Sequence, residues 1–211
     1  MSEQRYRFMV KTAALMTICW IAWSLYDLGW SSKTPEQQML SAGSRYLEDR
    51  QYHEALESFD QVLVIQPDHR GARMGKAQTQ MELGLHAEQD QQADHYRDAL
   101  SNLDQAIELA TQESTPEVKR FNAVAHANRG ILKDRMGRYE GALQDYQQAL
   151  ELDPEVGDGP GFLTRFLRNQ AEKPPSITDR IEYLRRQLSL PITEQVLSRP
   201  EVDAKQRAYT L

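Results

Sequence analysis

The chain has 211 residues, with 25 Lys and Arg against 31 Asp and Glu for a formal charge of −6. That balance lacks the basic face that phosphate neutralisation requires, which argues against a nucleic-acid partner. A hydrophobic fraction of 40% beside 27% charged residues suffices for a packed core, and one cysteine excludes an internal disulfide and any multi-cysteine metal site.

The first element in chain order is apolar. Thr12 to Tyr26 carries no charge; Phe8, Met9 and Val10 precede it beyond Lys11, and Leu28, Gly29 and Trp30 follow it beyond Asp27. About 20 residues cross a hydrocarbon layer, so residues 8–30 are expected to form a transmembrane helix, with Trp20, Trp23 and Trp30 near an interface. Arg5, Arg7 and Lys11 ahead of it, against Lys33 behind, place the tail at residues 1–11 in the cytoplasm and the remainder on the extracytoplasmic (periplasmic) side of the cell inner membrane. Three readings compete with this single-pass anchor. One is a signal peptide cleaved near Ala22-Trp23-Ser24, and another is a lipoprotein site at Cys19, against which bulky Ile18 speaks. The third is a helix buried in the domain, which would have to cover almost every face of an isolated segment.

A linker at residues 31–35 leads into a repeated pattern. Tyr52, Ala55, Leu56, Phe59, Val62, Leu63 and Ile65 share their offsets with Tyr96, Ala99, Leu100, Leu103, Ala106, Ile107 and Leu109. Tyr139, Ala142, Leu143, Tyr146, Ala149, Leu150 and Leu152 repeat them a third time. The offsets mark one stripe of a 3.6-residue helix. The small alanine allows close approach of a neighbouring helix, and the large residue four positions later fills the space between helices. A further helix is expected before each stripe, around residues 39–48, 73–83 and 123–136. Gly43 and Gly130 precede the stripe alanines by equal distances, and Pro67 and Pro154 follow them to close the helices.

The series Gly43, Tyr52, Ala55, Phe59, Val62, Pro67 and its counterpart Gly130, Tyr139, Ala142, Tyr146, Ala149, Pro154 resembles the tetratricopeptide repeat, a helix–turn–helix unit of about 34 residues. The middle copy keeps Tyr96, Ala99 and Ala106 but has Ala77 for the usual glycine and Thr111 for the proline. The resemblance covers residues 36–156, as repeats at 36–69, 70–113 and 123–156. It implies an all-α chain: an α–α superhelix of three repeats, here with C-terminal capping helices and an N-terminal transmembrane helix.

The stripe tyrosines lie 44 and 43 residues apart, so two insertions separate the copies. Leu85 to His95 holds neither Gly nor Pro and predicts lengthened helices instead of a loose loop. Ser114-Thr115-Pro116-Glu117 reads as an N-cap with a first-turn proline and a capping-box acid, extending the next helix to about 20 residues. Beyond the repeats, residues 157–211 read as a helical extension. Gly157, Gly159, Pro160 and Gly161 break the array, and Phe162, Leu163, Phe166 and Leu167 make a face suited to capping the solenoid end. After Pro174-Pro175, Ser176 to Asp179 is a second capping box, followed by an apolar face at Ile181, Leu184 and Leu188. A short helical turn is expected between Ile192 and Leu197. Arg165, Arg168, Arg180, Arg185 and Arg186 read as a solvated helix surface, with a partner or lipid contact as the alternative.

No motif of catalysis emerges. His86 and His95 sit among Glu88, Asp90 and Asp94, but the spacing matches no ligand pattern, and Gly157 to Gly161 lacks the lysine and preceding strand of a phosphate loop. The chain therefore reads as neither an enzyme nor a holder of cofactor or metal, with no small-molecule substrate. The resemblance implies a groove lined by the first helices that takes a protein or peptide partner. Its lining would be Leu40, Ser44 and Leu47, then Met74, Gln78 and Met81, then Ala127, Ile131 and Asp134. The basic clamp by which many such adaptors hold a terminal carboxylate is missing from these positions. An apolar floor with two methionines suits a helix or an extended apolar segment, or else packs against the chain's own C-terminal helices. Two functions remain open: an anchored adaptor or assembly factor for a membrane or extracytoplasmic complex, and a permanent accessory subunit of one.

Overall fold

The computed structural model describes residues 3–29, 33–111, 115–158, 176–203, 206, 208 and 209. All regular elements among them are helical, and the chain divides into two units, Met1–Gln38 and Met39–Leu211. The first holds helix α1 (Glu3–Gly29) and the start of α2 (Pro35–Glu48). Thr34 and Gln37 cap α2 reciprocally, each backbone N–H donating to the other's side chain. Helix α1 has Phe8, Leu15, Trp20 and Trp23 well exposed.

No helix among the described residues is long and apolar enough to cross a membrane, which does not support the expected span over residues 8–30. Between Arg7 and Ser24, the residues Lys11, Thr12 and Thr17 dilute the apolar ones.

The second unit carries the helical hairpins. Helix α2 is followed by α3 (Tyr52–Ile65), α4 (Arg70–His86) by α5 (Gln89–Ala110), and α6 (Pro116–Arg135) by α7 (Tyr139–Leu152). A 3-10 turn at Pro154–Asp158 ends the array, and α8 (Ile177–Leu188), a turn at Ile192–Glu194 and α9 (Pro200–Asp203) follow. The first and third hairpins turn alike. Arg50 N–H reaches the Leu47 carbonyl and Gln51 the Tyr46 carbonyl, while Gly137 and Arg138 reach those of Asp134 and Lys133. This Schellman geometry demands a left-handed residue, which is Gly137 (φ +73°) in one turn and Arg50 (φ +60°) in the other.

The stripe packs as its periodicity predicts. Ala55, Phe59, Val62, Ala99, Leu103, Ala106, Ala142, Tyr146 and Ala149 are all buried, whereas Ile65, counted with them from sequence, lies 55% exposed at the end of α3. The Phe59 ring is held between two glycines. A Cβ on Gly43 would stand 2.8 Å from Phe59 Cε1, and one on Gly75 2.3 Å from Phe59 Cζ. Gly75→Ala should therefore reverse the gain of about 1 kcal/mol that alanine brings inside a helix and cost roughly 1–3 kcal/mol. Chemical denaturation checks the sign, and Phe59→Leu in the same chain should restore part of the loss.

Both insertions lengthen helices. Helix α5 has 22 residues against 14 in α3 and α7, after a break at Ala87 and Glu88. Helix α6 has 20, begins with Pro116, and is capped by Thr115 Oγ1, which accepts from Val118 N–H. Ser176 and Asp179 form the second capping box, and Ile181 and Leu184 are buried. The expected cap at Phe162, Leu163, Phe166 and Leu167, like Arg165, Arg168 and Pro174-Pro175, lies outside the described residues.

Candidate functional site: the inner face of the first helices

The nine residues assigned to the groove divide by position along the array. In the first repeat Leu40 and Leu47 are half-buried and Ser44 is exposed. In the second, Met74, Gln78 and Met81 are buried, at 3%, 7% and 0% exposure. Ala127, Ile131 and Asp134 of the third are buried as well. The open floor expected of Met74 and Met81 is corrected: both are buried within the main core, and Gln78 beside them donates to the Tyr209 carbonyl. Leu197, Ala208 and Tyr209 pack against the core that contains both methionines.

Asp134 anchors the C-terminal segment. Arg180 of α8 is 1% exposed and donates from Nε to Asp134 Oδ2 at 2.7 Å and from Nη2 to Oδ1 at 2.6 Å. This two-pronged geometry suits a guanidinium and a carboxylate in a dry setting. Arg180 also donates to the Leu197 carbonyl at 3.0 Å and pairs with Asp203 at 3.3 Å. Tyr146 of the stripe donates its hydroxyl proton to Asp134 Oδ2 and accepts from Gln206 Nε2. Burial pushes the Tyr146 phenol well above its ordinary range, reinforced by the Asp134 charge. The solvated surface expected of Arg180 is thus corrected, since a neighbour 46 residues away in sequence draws it into the interior.

Beside this pair the chain end runs without regular structure at Gln206, Ala208 and Tyr209. Asn128, fully buried on α6, brackets Tyr209: its Oδ1 accepts from the Tyr209 N–H at 2.6 Å and its Nδ2 donates to the Tyr209 carbonyl at 2.9 Å. Gln78 Nε2 donates to the same carbonyl at 2.6 Å, and Arg135 Nη2 to that of Gln206 at 2.9 Å. Burial pushes the Tyr209 phenol up to about 12, partly offset by a hydrogen bond with the Ile177 backbone. Asn128, Arg135, Arg180, Gln206 and Tyr209 were not singled out as site residues from sequence. Asn128 lies one position from Ala127 on a first helix, but periodicity gives no sign of its partner.

A second polar cluster joins α5, α6 and α7 around Asp145, which is buried. His126, Arg129 and Lys133 share one face of α6 and reach its carboxylate at 3.1, 2.6 and 2.7 Å, and Arg129 also holds Asp104 at 2.7 Å. Burial alone would raise the Asp145 pKa, but hydrogen bonds from His126, Arg129 and Lys133 outweigh it and hold the carboxyl well below its usual range. A carboxyl depressed in the folded state stabilises the fold above its unfolded pKa of about 4, and that contribution is lost as pH falls from there toward the folded value. Asp145→Asn should remove this acid-side part of the stability profile while lowering the plateau at neutral pH. Urea midpoints between pH 3 and 7 measure both.

Among the described residues no group of three or more His, Cys, Asp or Glu is placed to hold a metal ion. His86 instead stacks on Tyr52, with ring centroids 6.3 Å apart.

Paired helices with a buried stripe of alanines and aromatics, repeated along the chain, define a helical-repeat protein. Residues 40–89 and 123–156 each match a family model of the tetratricopeptide repeat. These two segments carry tetratricopeptide repeats, and such repeats indicate a protein–protein interaction module. No curated protein matches it.

Proposed function

We propose that the protein is a membrane-tethered adaptor or assembly factor whose partner enters the groove from the first repeat. The observation that supports this most is the contrast along the inner face: Met74, Met81 and Ile131 are buried, while Leu40 and Leu47 stay half-exposed around Ser44. A partner there meets apolar side chains on a rigid hairpin, the usual basis of a binding patch. Ser44→Arg places a long charged side chain on the patch at an exposed position, with little cost to the fold. It should reduce recovery of crosslinked partner from mild-detergent extracts at least tenfold. Unchanged recovery would place binding elsewhere.

The tether rests on α1. Phe8, Leu15, Ile18, Trp20 and Trp23 of this helix are exposed, the two tryptophans at least 69% each, an apolar surface that suits lipid better than water. We assign the tail at residues 1–11 to the cytoplasm and the repeats to the extracytoplasmic face, on the strength of Arg5, Arg7 and Lys11. Full-length protein should float with lipid vesicles, and Leu15→Glu together with Ile18→Glu should release it. A reporter fused after Leu211 that works only in the cytoplasm would reverse the orientation. The second reading, a permanent subunit of a membrane complex, would appear as a fixed stoichiometry with one partner that survives salt and dilution.

A further inference from the structure

The bonds that hold Tyr209 and Gln206 differ in kind from those that hold α8. Helix α8 is fixed by a buried ion pair and the apolar side chains Ile181 and Leu184. The terminal segment is fixed through its main chain. Asn128 takes both the N–H and the C=O of Tyr209, Gln78 takes that C=O again, and Arg135 takes the C=O of Gln206. Main-chain groups are common to every peptide, so these three side chains recognise peptide backbone as such.

Asn128 adds a second observation. It is fully buried, and among the described residues its amide meets the Met74 sulfur, at 3.5 Å, besides Tyr209. Both ends of this buried amide are therefore satisfied by one residue's main chain, which is the pairing a peptide backbone offers. Selectivity comes from two side chains three positions apart. Gln206 is 5% exposed and donates to the Tyr146 hydroxyl, and Tyr209 lies half-buried with its phenol by the Ile177 backbone.

We propose that Gln78, Asn128 and Arg135 form a site for peptide backbone flanked by Gln and Tyr side chains three positions apart, that the chain's own Gln206 and Tyr209 are its resident occupants, and that a partner carrying such a segment binds by displacing them. This rests on reading the repeats as an interaction module and adds to it the ligand's chemistry and a built-in competitor. The Arg180–Asp134 pair stays closed during the exchange, so α8 keeps its place while Gln206 and Tyr209 leave.

The test uses the full chain and a fluorescent synthetic peptide with the sequence of residues 199–211. The variant Gln206→Ala with Tyr209→Ala weakens the resident segment and should bind the peptide at least tenfold tighter than the unaltered protein. Adding Asn128→Ala should lower that affinity at least tenfold, and a peptide N-methylated at the tyrosine amide should not bind. Equal affinity of unaltered and weakened chains, or no binding by a weakened chain with an unaltered circular dichroism spectrum, overturns the proposal. If the weakened chain fails to fold, hydrogen exchange on the unaltered protein decides. A Tyr209 amide that exchanges at least tenfold faster than that of Ile131 supports displacement, and co-exchange with Ile131 overturns it. A concentration-dependent dimer abolished by Tyr209→Ala would assign the site to a second copy and also overturn the partner. Should these measurements fail while Ser44→Arg still abolishes partner recovery, the interaction reading stands and only this site falls.

Discussion

Arg180→Met should lower the unfolding free energy of the repeat unit by about 3–5 kcal/mol, because it leaves the Asp134 carboxylate buried without its partner. The methionine is close to the arginine stem in volume, so the loss reports on charge more than on a cavity. The same principle predicts an asymmetry. Asp134→Leu combined with Arg180→Met removes both charges and should recover much of the loss, since a buried pair exchanged for apolar side chains is often neutral. Recovery will be incomplete, because the Tyr146 hydroxyl and the Leu197 carbonyl each lose a hydrogen-bond partner. Urea unfolding followed by circular dichroism on all four members of the cycle gives the coupling directly. A double variant as unstable as the sum of the singles would show that the ion pair is not the link holding α8 to the third repeat.

Met81→Asp is the other change with a large expected effect. A methionine on an open groove floor would accept a carboxylate with little harm to the fold. Met81 is instead 0% exposed, inside the main core. An unpaired carboxylate there costs on the order of several kcal/mol, a large share of the 5–15 kcal/mol that holds a typical domain together. The variant should show a lowered melting midpoint and premature protease sensitivity at neutral pH, relieved in part by acid, which neutralises the new group. Ser44→Asp, at the equivalent inner face of the first repeat, should be nearly silent. A Met81→Asp chain with the unaltered midpoint would show that this part of the groove is open after all.

The sequence by itself determined the hairpins. Ala55, Ala99 and Ala142, with Phe59, Leu103 and Tyr146 four positions on, mark the buried stripe because helical period and side-chain size are local properties. Capping chemistry is local too, so Thr115, Pro116, Ser176 and Asp179 disclosed where two helices begin. Lengthened α5 and α6 followed from the absence of Gly and Pro in one insertion and from the cap ahead of the other. The same pattern placed Leu40, Met74 and Ala127 on first helices.

Only the tertiary structure decided what those first helices face. Ser44 is exposed and Leu40 and Leu47 are half-buried against the Phe59 cluster, whereas Met74 and Met81 lie in the main core and Gln78 and Asn128 meet Tyr209, a difference no periodicity encodes. The partners of Asp134 and Asn128 stand 46 and 81 residues away. Arg180 shows no local sign that sets it apart from the exposed Arg185 and Arg186 beside it. A charge becomes buried only when a distant opposite charge and the surrounding apolar surface arrive together, and that coincidence exists only in the folded chain.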